Sequence, residues 1–325
     1  MLRRGRRRPP GRVETEHLVS AGVTVPLAER YRDRLPLAPG VDVVTLGEGS
    51  TPLLPAPRLS ERIGAEVWLK WEGGNPTGSF KDRGMTVAVT QALADGAHSV
   101  VCASTGNTAA SAAAYAARAG LEAVILQPEG AVARGKLAQA RAVGAKVETR
   151  ANFEEALEEA KALEAGGTHV LVNSLNPLRL QGQKTAAFEI AEDLDRVPDV
   201  LALPYGGGGN LCAYALGFRE IGSLPRFVAA QAENRAGTAA SAIRILEPAH
   251  ESEVESALAE SGGEAVSMTD DAILSAWRLL AQEEGLFCEP SSAAGLAAFL
   301  ADPPKDARAV CVITGHGLKD PDAVA

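Results

Sequence analysis

The chain has 325 residues, 46% of them apolar and 22% charged, a balance that excludes a disordered chain, a collagen and a coiled coil. At roughly 100–200 residues per domain the length makes about two domains or one large α/β unit, and the chain has no run of about 18 apolar residues from which to build a membrane-spanning helix. The formal net charge is −9 although Arg3, Arg4, Arg6, Arg7, Arg8 and Arg12 crowd the first twelve positions, so the body is acidic and repels a nucleic acid backbone.

Residues 1–12 read as a disordered Arg-rich tail. They carry no apolar stretch of a secretory signal, and Glu14 and Glu16 follow at once, which argues against a transit peptide. From residue 41 short apolar runs alternate with helical stretches. Val41 to Leu46 and Val67 to Trp71 read as strands. Met85, Val89 and Leu93 fall at helical spacing after Lys81. Ser99 to Ala103 is a buried strand, and an Ala-rich helix runs from about Thr108 to the stop at Gly120. Strands at Ala123 to Leu126, Lys146 to Glu148 and His169 to Val172 enclose helices at Lys136 to Val143 and after Asn152, a good N-cap. A helix over Thr185 to Leu194 and strands at Val200 to Leu203 and Phe227 to Gln231 follow. Ala236 to Ser267 reads as mixed. Thr269 caps a helix through Leu280, a short helix covers Ala293 to Leu300, and Ala309 to Ile313 is a last strand. Successive strand–helix units predict parallel sheets covered by helices, here in two α/β lobes with a cleft at the carboxyl ends of the strands.

Cys102, Cys212, Cys288 and Cys311 lack CxxC spacing and read as free thiols of a reducing compartment. No His/Cys group has zinc spacing. The pairs Glu154/Glu155 and Glu158/Glu159 read as the wet face of a helix.

Three loops fall where the cleft would be. Gly73 to Arg83 is not a P-loop, because Gly78 is followed by Ser79. It delivers one lysine, Lys81, to a helix start, where the dipole and burial favour the neutral amine that a Schiff base needs. An ordinary surface lysine is the plainer reading of Lys81 alone. Ser104, Thr105, Gly106, Asn107 and Thr108 offer hydroxyls and N–H groups at another helix start, a site for a carboxylate or other small anion. Gly206, Gly207, Gly208 and Gly209, followed by Asn210, let backbone approach a phosphate; GxGxxG does not fit, so a dinucleotide reading is weak. A reactive amine, an anion site and a phosphate cradle together suit pyridoxal 5′-phosphate.

With that, the chain resembles the threonine synthases of the short bacterial kind, within the fold-type II pyridoxal-phosphate enzymes related to the tryptophan synthase β-chain. The resemblance rests on Asn75 to Gly84, Ala103 to Thr108, Asn173 to Lys184, Gly206 to Asn210 and Thr314 to Asp320, and it spans about residues 41 to 321. It implies a large domain from residues 13–72 and 173–325 and a small one from 73–172. It implies Lys81 as the Schiff-base lysine, Asn107 at the ring hydroxyl, Gly206 to Asn210 around the cofactor phosphate and Thr314 at the pyridine nitrogen. A hydroxyl there does not enforce ring protonation, which makes a milder electron sink. The substrate implied is O-phospho-L-homoserine, its carboxylate on Ser104, Thr105 and Thr108 and its phosphate on Ser174, Arg179 and Asn210. The reaction implied is γ-elimination of phosphate followed by β-addition of water, in a cytoplasmic homodimer that engages neither nucleic acid nor membrane. A threonine or serine dehydratase and a cysteate synthase are the alternatives within the fold. A cofactor-binding or regulatory homologue with impaired catalysis is the alternative from another functional class, prompted by a stretch at 232–243 shorter than such enzymes usually have.

Overall fold

The computed structural model describes residues 25–130 and 134–321; the Arg-rich tail lies outside them. Two sheets organise the chain. The larger has six strands, β1 (Leu53–Pro55), β2 (Glu66–Trp71), β7 (Val200–Pro204), β8 (Arg226–Ala232), β9 (Glu264–Met268) and β10 (Arg308–Ile313), in the order β1-β2-β10-β7-β8-β9. Only the β1–β2 pair is antiparallel. The smaller sheet is wholly parallel and runs β5-β4-β3-β6, from β3 (Ser99–Ala103), β4 (Glu122–Pro128), β5 (Lys146–Arg150) and β6 (Val170–Leu171).

A period of two explains why the central strands are apolar throughout. In β10, Ala309, Cys311 and Ile313 face one hydrophobic cluster, with Phe299 and Leu296 of the helix Ala294–Ala301. Val310 and Val312 face the other, with Tyr214 and Phe218 of the helix Gly209–Ile221. A strand covered on both faces has no place for a polar side chain. The smaller sheet repeats the pattern. Val100 and Cys102 pack beneath the Ala-rich helix Asn107–Ala119, while Val101 and Ala103 meet Ala156 and Ala160 of the helix Phe153–Ala165. Each fully buried Val, Leu or Phe contributes about 1.5–3 kcal/mol.

Two helices decide where the chemistry sits. In chain order the helices are α1 (Leu27–Arg30), α2 (Pro57–Ile63), α3 (Lys81–Ala94), α4 (Asn107–Ala119), α5 (Arg134–Ala142), α6 (Phe153–Ala165), α7 (Pro177–Gln183), α8 (Thr185–Leu194), α9 (Gly209–Ile221), α10 (Glu251–Ser261), α11 (Asp270–Glu283) and α12 (Ala294–Ala301). Helices α3 and α7 touch backbone to backbone. A Cβ on Gly182 would stand 1.9 Å from the Arg83 carbonyl oxygen, and one on Gly84 2.5 Å from that of Arg179. Glycine at both positions is what lets the helices meet.

Sequence and structure part company in a few places. Val41 to Leu46 is not a strand: the Val44 N–H donates to Thr90 Oγ1 (2.9 Å) and its carbonyl accepts from Thr86 Oγ1 (2.6 Å). Side chains of α3 thus satisfy a backbone that alternation alone reads as a sheet strand. The stretch read as mixed contains α10 and the start of β9. β1, α2 and α7 also form where no element was expected; α2 and α7 both open on a proline, Pro57 and Pro177, suited to a first helical turn.

Candidate active site

The loop before Lys81 is fixed from both ends. Gly78 adopts φ +85°, and the Thr77 N–H and hydroxyl both donate to Asp82 at 2.6 Å, joined by Ser111 Oγ at 2.6 Å. Burial pushes the Asp82 carboxyl up to about 6. On the other side the loop pairs with the segment after β10. The Phe80 N–H donates to the Thr314 carbonyl (3.1 Å), the His316 N–H donates to that of Gly78 (2.9 Å), and Ser79 bridges Gly315. Lys81 and Thr314, far apart in the chain, therefore meet across one short antiparallel contact.

Below the loop a fully paired ionic cluster anchors α3. Arg83 donates to both oxygens of Glu72 (2.7 and 2.8 Å) and both of Glu189 (2.8 and 2.6 Å), while Lys70 donates to Glu189 at 2.9 Å. All four side chains are buried, and every charge has a partner of opposite sign.

Arg179 is the opposite case. It is fully buried in α7, and Nη1 donates to the Val172 carbonyl at 3.2 Å. Its Nε and Nη2 have no partner. Burial pulls the guanidinium down to about 10. Leaving two charged donors dry and unspent is costly, so the site is shaped for an anion. Burial, helped by this neighbouring cation, also pulls Lys81 down to about 7. The amine lies 4.4 Å from the Phe80 ring centroid and is partly buried. It titrates as a nucleophile or base near neutrality.

The other expected residues have surroundings of their own. Asn107 is the first residue of α4; Nδ2 donates to Glu289 Oε2 at 2.7 Å and Oδ1 is unpartnered. Ser104 turns its hydroxyl to the Gly106 N–H (3.1 Å), and Ser104, Thr105 and Thr108 stay partly open. Gly206 to Asn210 links β7 to α9. Gly208 is left-handed (φ +88°), a Cβ there would stand 2.8 Å from Val254, and no side chain caps the helix. A Cβ on Gly207 would meet nothing within 4 Å, so that residue faces open space, and Asn210 Nδ2 is an unspent buried donor. His250 braces this loop: its N–H donates to the Gly207 carbonyl (3.2 Å), and Nε2 lies 3.2 Å from the Ser174 carbonyl. The 232–243 stretch reaches the same loop, with Ile243 Cα 3.2 Å from where a Gly206 Cβ would stand.

These features fit a phosphorylated aldehyde cofactor: a depressed lysine, a glycine loop at an uncapped helix start, and unspent donors on Asn210 and Arg179 to take two anionic groups. Thr314 Oγ1 lies 3.0 Å from Ser292 Oγ, so two neutral hydroxyls share that wall. His316 serves structure. Its Nδ1 accepts from the Leu318 N–H (3.1 Å), and its ring packs near Trp71 and Phe287. All four cysteines are free thiols, and the described residues hold no metal-binding group of His, Cys, Asp or Glu.

Reading the sequence missed Ser292, Glu289, Lys136 and His250. The first two stand in Cys288-Glu-Pro-Ser-Ser292, where a charge and two hydroxyls stand between Leu286-Phe-Cys288 and the apolar α12; that was the available signal. Lys136 and His250 carry none.

The family described as "Pyridoxal-phosphate dependent enzyme" matches residues 44–315. Among curated relatives, the threonine synthase of Synechocystis sp. is 50% identical over 319 residues, covering 91% of this chain and 84% of that one. That of Mycobacterium tuberculosis is 49% identical, covering 90% and 88%. That of Methanocaldococcus jannaschii is 45% identical, covering 90% and 81%. Among solved structures, the threonine deaminase of T.th. superposes with a TM-score of 0.71 at 28% identity, over 82% of this chain and 92% of that one. Maize serine racemase shares the fold, with a TM-score of 0.75 at 24% identity over 84% and 90%.

Proposed function

The chain belongs to the family of pyridoxal-phosphate dependent enzymes, and from that premise we propose that it is a threonine synthase, converting O-phospho-L-homoserine and water to L-threonine and phosphate. The observation that carries the choice of substrate is Arg179. One buried guanidinium with two unspent donors, carried on α7 and not on the Gly206 to Asn210 loop, supports a second anion site. A dehydratase acting on serine or threonine has no use for it.

Bound pyridoxal phosphate supplies an electron sink in conjugation with the substrate amino group, which makes its neighbouring C–H bonds acidic. The residues of the chain do the rest. Gly206 to Asn210 hold the cofactor phosphate and Asn107 its ring oxygen. Thr314, beside Ser292, would face the ring nitrogen with a hydroxyl, which does not enforce protonation there. The N-terminus of α4 with Ser104, Thr105 and Thr108 takes the substrate carboxylate. Arg179 grips the substrate phosphate through a planar fork that a lysine lacks, with Ser174 and Asn210 beside it. The neutral amine of Lys81 would take the proton from Cα, and a second proton leaves Cβ; phosphate departs from Cγ, which takes up a proton to become the methyl group, water gives its hydroxyl to Cβ, and a proton returns to Cα.

Residues 73–172 form the small domain, and 13–72 with 173–325 the large one. This division is supported by all four strands of the smaller sheet lying between residues 99 and 171. The enzyme works as a cytoplasmic homodimer, free of nucleic acid and membrane. Three buried free thiols support a reducing compartment, and no helix among the described residues is long and apolar enough to cross a membrane. Light scattering tests the dimer. The activity is tested by incubating purified, cofactor-loaded protein with O-phospho-L-homoserine and measuring phosphate and L-threonine. Equal amounts of both are expected; 2-oxobutyrate from L-threonine with no phosphate release would establish the dehydratase instead.

A further inference from the structure

Lys136 and Glu289 form a buried ion pair between elements of the two sheets. Lys136 lies in α5, beside the smaller sheet, and Glu289 lies just before α12, beneath the larger. They are 3% and 1% exposed, with Nζ 2.6 Å from Oε1. Such a pair is a poor way to stabilise a fold, since desolvation consumes most of the attraction. This one touches the site. Oε2 of Glu289 accepts from Asn107 Nδ2 at 2.7 Å, and Gly315, next to Thr314, has no side chain because a Cβ would stand 2.0 Å from that same oxygen.

An amide has two N–H donors and one acceptor, and only its partners decide which end points where. Glu289 is acceptor-only when ionised, so it spends one N–H of Asn107 and fixes the flip, leaving the second N–H for a ligand. Lys136, paired with Oε1 of Glu289, balances its charge. The lysine is itself held in place, because α5 is docked by Lys319, whose Nζ donates to Gln139 Oε1 (2.8 Å) and to the Thr77 carbonyl (2.5 Å).

We propose that Lys136 and Glu289 are positioning residues that orient the Asn107 amide toward the cofactor's ring oxygen and balance the charge there. This rests on the pyridoxal-phosphate reading above. The other charged groups facing Glu289 are Lys81 of α3 and Lys319 of the C-terminal turn, with Asp82 of α3 behind Lys319 and Arg179 of α7 behind Lys81. All of them stay unchanged in the test.

The test follows the visible absorbance of the full-length, cofactor-loaded protein between about pH 6 and 10, as the ratio of its long- to short-wavelength bands. Lys136→Met leaves a bare carboxylate, which holds the chromophore proton more tightly and moves the midpoint up by about one pH unit. Glu289→Gln leaves a bare ammonium and moves it down by about as much. The double variant returns to within about 0.3 unit of the parent, since the two charges vanish together. Band ratios unchanged in both single variants, or shifted in the same direction as a merely loosened site would give, overturn the proposal. Should Lys136→Met not fold, Glu289→Gln against the charge-keeping Glu289→Asp decides. A downward shift in the first alone supports the proposal, and equal behaviour of the two overturns it. Failure of the parent protein to bind cofactor at all would instead remove the functional reading.

Discussion

Replacing Arg179 by methionine separates a residue that waits for a ligand from one that holds the fold. The side chain makes one hydrogen bond, to the Val172 carbonyl, and leaves Nε and Nη2 unspent. Its removal strands that carbonyl, at about 1–3 kcal/mol, and relieves an unpaired buried charge whose desolvation costs several kcal/mol. The cofactor-free protein should therefore be as stable as the parent or more so. Arg83→Met is the control: it breaks four charge-assisted bonds to Glu72 and Glu189, and should lose about 3–5 kcal/mol. Function moves the other way. Two charged hydrogen bonds to a substrate phosphate are together worth about 3–6 kcal/mol, so Arg179→Met should lower kcat/KM on O-phospho-L-homoserine by about 10²–10⁴. Arg179→Lys should recover part of this. Slow deamination of L-serine or L-threonine should change little, and cofactor content should hold. Urea unfolding of cofactor-free protein and steady-state phosphate release provide the two readouts. A destabilised Arg179→Met, or equal losses on phosphorylated and unphosphorylated substrates, would refute the assignment and return Arg179 to the fold.

Lys81 titrates near 7 in the cofactor-free protein, so the reactive neutral amine grows about tenfold per unit below that pH and levels off above it. The rate of cofactor uptake should follow this curve, and a rate flat from about pH 5.5 to 8.5 would contradict it. Lys81→Ala should lose the borohydride-reducible absorbance altogether; its persistence would move the attachment to another lysine. Thr314→Ala should keep the bound cofactor while turnover falls, and Thr314→Asp should change the bound spectrum; unchanged turnover and spectra in both would take Thr314 off the ring. Gly182→Ala drives a methyl into the Arg83 carbonyl and should cost more than about 3 kcal/mol by denaturant unfolding, whereas a loss under about 1 kcal/mol would mean that α3 and α7 separate freely.

The loops around Lys81, Asn107 and Gly206 were legible because small, polar and glycine residues between an apolar strand and a helix have few structural uses. The apolar runs of β3, β7 and β10 were legible for a related reason, since a strand covered on both faces excludes polar side chains. Glu289 and Lys136 were not legible. Each is an ordinary residue in its own segment and acquires meaning only when α5 and the turn before α12 meet. Arg179 owed its place to a resemblance; what makes it informative, two donors without partners, is a property of packing. Val41 to Leu46 was misread because alternation reports that a backbone is extended and says nothing of whether its hydrogen bonds go to a neighbouring strand or to Thr86 and Thr90.

The last strand of the chain enters the middle of its sheet, with β10 lying between β2 and β7. While the protein is being synthesised, β2 must wait with a bare edge from Trp71, and β7 from Pro204, until Arg308 opens β10, and neither can close on the other without trapping the wrong order. Exposed edges of this kind invite pairing with neighbouring chains. The same strand leads directly into Thr314 and Gly315, which complete the wall against Ser79 and Lys81. A truncated product stopped before β10 would thus be both aggregation-prone and without a cofactor site, so cofactor capture reports that translation reached the final strand.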